Sequence, residues 1–140
     1  MSAVEPVFAD LHRPAAPGAA CAARLLWSLR RLDGDPGGDW DVQAFWQHMH
    51  GEAGSFEIVS ALARLLSVLR IAARRRLQLG GDDAAAPTAH EASLLAALRA
   101  VEGGDAPRCE AHLLWLARGS ARADLRAALD AVATSLQHGT

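Results

Sequence analysis

Residues 55–79 read SFEIVSALARLLSVLRIAARRRLQL. Ile58, Val59, Leu62, Leu65, Leu66, Leu69, Ala73 and Leu77 recur at helical spacing, with Ser60, Arg64, Ser67 and Arg74 on the opposite side. The pattern predicts one helix from Ser55 to Leu79, capped by Ser55, with Glu57 in its first turn and Gly80-Gly81 as its stop. At about 1.5 Å per residue it would run about 36 Å, the span of a small domain. The other helices are therefore expected to pack around it.

Working outward, a first helix is predicted from Ala19 to Asp33, with Ala22, Leu25, Leu26, Leu29 and Leu32 on one face. A second runs from Trp40 to His50 and stops at Gly51, with Asp39 as its cap and Val42, Phe45, Trp46 and Met49 inward. After the linker 80–87, Thr88-Ala89-His90-Glu91 has the form of a capping box, because Thr and a Glu three residues on can satisfy each other's backbone N–H. That box opens a fourth helix, ended by Gly103-Gly104. Asp105 caps a fifth, which tolerates Pro107 in its first turn and reaches Arg118. Ser120 caps a sixth, with Leu125, Leu129, Val132 and Leu136 in a stripe.

Composition agrees. Ala (31) and Leu (20) dominate the 140 residues, against nine Val and Ile together and no Tyr. Sheets favour β-branched and aromatic residues, and helices favour Ala, Leu and Arg. The expected fold is all-α: a single-domain antiparallel bundle of five to six helices around a long central helix. Residues 1–17, with three Pro and little periodicity, read as an arm able to dock through Val7, Phe8 and Leu11; residues 18–140 form the helical domain.

Fourteen basic residues, all Arg, stand against 16 acidic ones, for a net charge of −2. Such a chain lacks the broad basic footprint of a nucleic-acid binder. Glu5, Asp10 and Arg13 interrupt the N-terminus, so it does not read as a secretory signal, and no stretch has the roughly 20 apolar residues of a membrane span. A cytoplasmic, soluble protein is expected. Cys21 and Cys109, far apart, read as reduced and buried.

No catalytic residue, cofactor or metal site is predicted. His48 and His50 lie about 200° apart on a helix and cannot share an ion there. His90 and His112 lack the surrounding residues of a phosphotransfer or metal site, and the chain has no Glu-x-x-His, phosphate loop or nucleophile elbow. The sequence reads as a non-enzymatic interaction module, with a second copy or another protein as partner. Trp27, Trp40 and Trp115 fall off their helices' apolar stripes and, with Leu114, are the interface candidates, since Trp is enriched at interface hot spots. Arg70, Arg74 and Arg75 are the candidates for an alternative role, binding an anionic ligand or nucleic acid. In the predicted long helix Arg76 falls on the apolar face, so it is expected either to turn outward at the helix end or to pair with an acid such as Glu91 or Glu102.

Four pieces resemble small, uncharacterised all-helical proteins of proteobacteria over residues 56–138. They are Ala72 to Leu79, Glu91 with Leu94-Leu95-Ala96-Ala97-Leu98, Gly103-Gly104-Asp105, and Leu113-Leu114-Trp115-Leu116. The resemblance implies a helical fold and carries no activity or site residue with it.

Overall fold

A computed structural model describes residues 17–34, 37–81 and 86–138. The predicted arm, apart from Pro17, lies outside them, as do Asp35, Asp82, Asp83 and the side chains of Cys21 and His138.

The described chain forms five helices: α1 (Pro17–Gly34), α2 (Gly38–Ala72), α3 (Ala89–Glu102), α4 (Ala106–Leu116) and α5 (Arg122–His138), with a short 3-10 turn at Gly119–Ala121. The fold is an all-α, single-domain bundle, as composition and periodicity require. The most extensive packing is α2 on α5, then α3 on α4 and α1 on α2. Leu25, Leu26 and Leu29 of α1, Ile58, Leu62, Leu65 and Leu69 of α2, and Leu125, Leu129 and Val132 of α5 are buried in one core. The Trp46 indole is also buried and donates to Ser28 Oγ at 2.9 Å, so its N–H is satisfied inside the core.

Two expectations about α2 change. The predicted second and third helices are joined without a loop. Gly51 breaks the helical path at φ 76°, ψ 176°, and the helix resumes at once. Ser55 therefore does not cap a helix: it is buried, and its hydroxyl donates back to the Glu52 carbonyl at 2.8 Å. Asp39 is not a cap either. The residue before the first turn is Gly37, with no side-chain cap, and Asp39 and Asp41 follow within that turn.

The larger correction lies at the other end. The long helix stops at Ala72, and Ala73 is extended at φ −58°, ψ 131°. Ala73 and Ala117 form an isolated antiparallel bridge, in which Arg74 N–H donates to Leu116 O (3.1 Å) and Arg118 N–H to Ala72 O (2.9 Å). A helical continuation would turn Arg76 toward the core. The extended path instead has the twofold alternation of a strand: Arg76 and Gln78 are exposed, Leu77 and Leu79 half-buried against the core.

The end of α3 is set locally. Gly104 has φ 72°, Asp105 N–H donates to Ala100 O (2.8 Å) and Gly104 N–H to Val101 O (3.2 Å). This is a Schellman ending, whose left-handed position suits Gly. Asp105 then caps α4 by accepting from Arg108 N–H at 3.2 Å. Helix α4 ends at Leu116, short of the predicted Arg118, because Ala117 is drawn into the bridge.

Candidate interaction surface

The N-terminus of α3 organises the polar interior. Thr88 and Glu91 form the predicted capping box: Glu91 N–H donates to Thr88 Oγ1 (3.1 Å) and Thr88 N–H to Glu91 Oε1 (2.8 Å). Glu91 is fully buried and does more than the sequence suggested. Arg30 of α1 donates from Nε to Oε2 (2.8 Å) and from a terminal nitrogen to Oε1 (3.0 Å), and Gly80 N–H donates to Oε2 (3.0 Å). Arg30, and not Arg76, thus pairs with Glu91, while Arg76 takes the other course expected of it and is exposed. Burial alone would raise the Glu91 pKa; the hydrogen bonds from Arg30, Thr88 and Gly80 outweigh it and hold the carboxyl below its ordinary range.

This cluster also fixes the extended strap after α2. Gln78 N–H donates to His90 Nδ1 (3.2 Å), and Gln78 O accepts from Thr88 Oγ1 (2.7 Å). His90 is buried, its ring centroid 5.2 Å from that of Trp115, while the Arg75 guanidinium sits 4.8 Å from the Trp115 centroid. Burial, then the Arg75 charge, lowers the His90 pKa.

The three arginines proposed for anion binding do not converge. Arg70 pairs with Asp33 at the end of α1. Arg74 donates to Leu114 O and Arg75 to Trp115 O, each at 2.9 Å. Both therefore neutralise the carbonyl end of α4 rather than the end of their own helix.

The four interface candidates separate. Trp27 is half-buried, 5.0 Å from the Phe45 ring, with the Arg31 guanidinium 5.9 Å from its centroid. Trp115 is half-buried between His90 and Arg75. Trp40 is 74% exposed and Leu114 47%. Two large apolar residues not singled out in the sequence join them: Phe56 at 63% and Ile71 at 78%. The criterion used for Trp would have found both, since each lies off the buried stripe of α2.

Comparison with protein-family models, curated proteins and solved structures finds no match. Among the described residues, no group of three or more His, Cys, Asp or Glu could hold a metal ion, and no helix is long and apolar enough to cross a membrane. Cys109 is buried, and burial pushes its thiol pKa up, away from the reactive thiolate.

Phe56 and Ile71 share the outer face of α2. Fifteen residues at 100° each bring them within about 60° of one another around the axis. The exposed positions between them include Ser60, Ala63, Arg64 and Ser67. Measured from the midpoint between Ala63 and Arg64, Phe56 and Ile71 lie equally far in opposite directions, about 11 Å along the axis, as do Ser60 and Ser67 at shorter range.

Proposed function

We propose that the protein is a non-enzymatic helical interaction module that self-associates through the outer face of α2. The observation carrying this reading is the exposure of Phe56 and Ile71 at symmetric positions on that face. A twofold axis through the midpoint between Ala63 and Arg64 sets two α2 helices antiparallel. Phe56 of one copy then lies level with Ile71 of its partner, and Ser60 with Ser67. Such a face is self-complementary, as a twofold dimer interface must be. Ser60, Ala63 and Ser67 between the apolar ends are small enough for close approach, which requires the Arg64 side chains beside the axis to turn to the rim of the contact. Trp40, in the first turn of α2, and Leu114 of α4 are further exposed apolar residues.

Sedimentation velocity tests the reading. The wild-type chain is expected to dimerise at micromolar concentration, and F56S/I71S to sediment as a folded monomer. A wild-type monomer at high micromolar concentration overturns the proposal. So does a double variant that dimerises as tightly as wild type.

A further inference from the structure

A cleft of about 420 Å3 lies between α3 and α4, with Ala22 of α1 at one side. Its size falls within the range of small-ligand sites. The floor is apolar: Leu95, Ala96 and Ala100 of α3, where the short alanines leave the space open. The walls come from different helices and carry two arginines and a histidine against one carboxylate, Asp105. Arg99 projects from α3, and Arg108 from α4 with His112 one turn further on.

Among the described residues, the Arg99 guanidinium makes no hydrogen bond or ion pair, although its charge acts on the Glu102 carboxyl three residues on. Arg108 has one long contact, 3.8 Å to Asp105, whose carboxylate is already engaged in capping α4. Ser93 Oγ lies 3.2 Å from His112 Nδ1 and steadies the ring at the cleft wall. Both guanidinium groups are exposed, so their donors at the rim of this apolar hollow are turned to water. An anion between them exchanges that water for charge-assisted hydrogen bonds in the planar geometry a guanidinium favours. A cation would meet the field of Arg99, and a bare inorganic anion would leave the apolar floor uncovered.

We propose that this cleft binds a small organic anion. Its carboxylate or phosphate group lies between Arg99 and Arg108, and a short apolar body covers Leu95, Ala96 and Ala100. The site is independent of self-association, because the outer face of α2 takes no part in it.

Hexanoate is the probe, titrated into the full 15N-labelled chain, with hexylamine and acetate as controls. Hexanoate is expected to move the amides of Ala96, Arg99, Ala100 and His112 saturably, more tightly than acetate, while hexylamine leaves them in place. R99Q/R108Q should weaken hexanoate at least about tenfold, since charge-assisted hydrogen bonds are lost at an exposed, replaceable position. A96L fills the floor without touching the charges and should weaken it comparably. The inference is overturned if hexanoate produces no saturable shift, if hexylamine moves the same amides equally, or if both variants bind as wild type does.

Discussion

Arg30 and Glu91, 61 residues apart in sequence, form a two-pronged ion pair, with Arg30 8% exposed and Glu91 completely buried. It ties α1 to the start of α3. Removing one partner leaves the other charged and buried, which costs about 3–5 kcal/mol. R30M and E91L should each lose stability of that order in urea titrations. Buried pairs replaced together by apolar residues are often neutral, but here the double variant R30M/E91L should stay below wild type. Gly80 N–H and Thr88 N–H also end on Glu91, and losing an acceptor costs each about 1–3 kcal/mol. A double variant as stable as wild type would show that those backbone bonds contribute nothing. The pair also confers acid sensitivity. Because the folded carboxyl titrates below its unfolded counterpart, its contribution is full above about pH 4.3 and is lost as pH falls through the lower folded value.

His90 should give a second, separable pH response. Gln78 N–H occupies Nδ1, so the neutral ring carries its proton on Nε2. Protonation would set a second N–H against Gln78 and a cation near Arg75. The folded pKa is lowered by burial and by Arg75, so below about pH 6.5 the unfolded chain binds the proton first. The His90 contribution to stability is therefore full above about pH 6.5 and declines as pH falls toward the folded value. H90N keeps an acceptor facing Gln78 but does not titrate. Comparing urea midpoints of wild type and H90N from pH 7.5 to 5 should show the difference changing in that window. Parallel curves would remove His90 as the source.

What the sequence made legible was local. The Thr88–Glu91 capping box, the Gly103-Gly104 ending and the Asp105 cap all lie where their short-range chemistry places them, because partners three to five residues apart depend on little else. The end of α2 was not legible because a local rule met a distant one. Ala73 pairs with Ala117, and Leu77 and Leu79 meet the core only in an extended chain. The alternation of Arg76, Leu77, Gln78 and Leu79 was the available signal, masked by the helical period before it. The same limit governed the surface. Off-stripe position showed that Trp27 and Trp115 leave the main helix face. It could not show that Phe45 would cover one and His90 with Arg75 the other.

Arg74 and Arg75, which follow α2 and hold the carbonyl end of α4, allow capping to be tested against anion binding. Each guanidinium caps one carbonyl, and a cation in the last turn of a helix contributes about 0.3–1 kcal/mol at an exposed site. R74A and R75A should each cost about that much, with R75A the larger because it also uncovers Trp115. Hydrogen exchange should show faster opening at Ala117 and Arg118 in both variants, whose N–H groups belong to the bridge region. A loss confined to ligand binding, with exchange unchanged, would contradict the capping role.

Gly51 carries the kink of α2, and its cost can be separated from packing. At φ 76°, ψ 176° it occupies a region essentially restricted to glycine. An added Cβ meets nothing within 4 Å, so any penalty for G51A is conformational rather than steric contact with neighbours. The expected loss is about 1–3 kcal/mol. Gly34 is the matched control: it ends α1, has no positive φ and is equally open around its Cβ position. Alanine there gains helix propensity of up to about 1 kcal/mol. G34A should therefore hold or raise the urea midpoint while G51A lowers it. If G51A proves neutral, α2 can pass residue 51 in an ordinary conformation, and the direction in which Trp40 and Trp46 leave the second half of the helix is set by core packing alone.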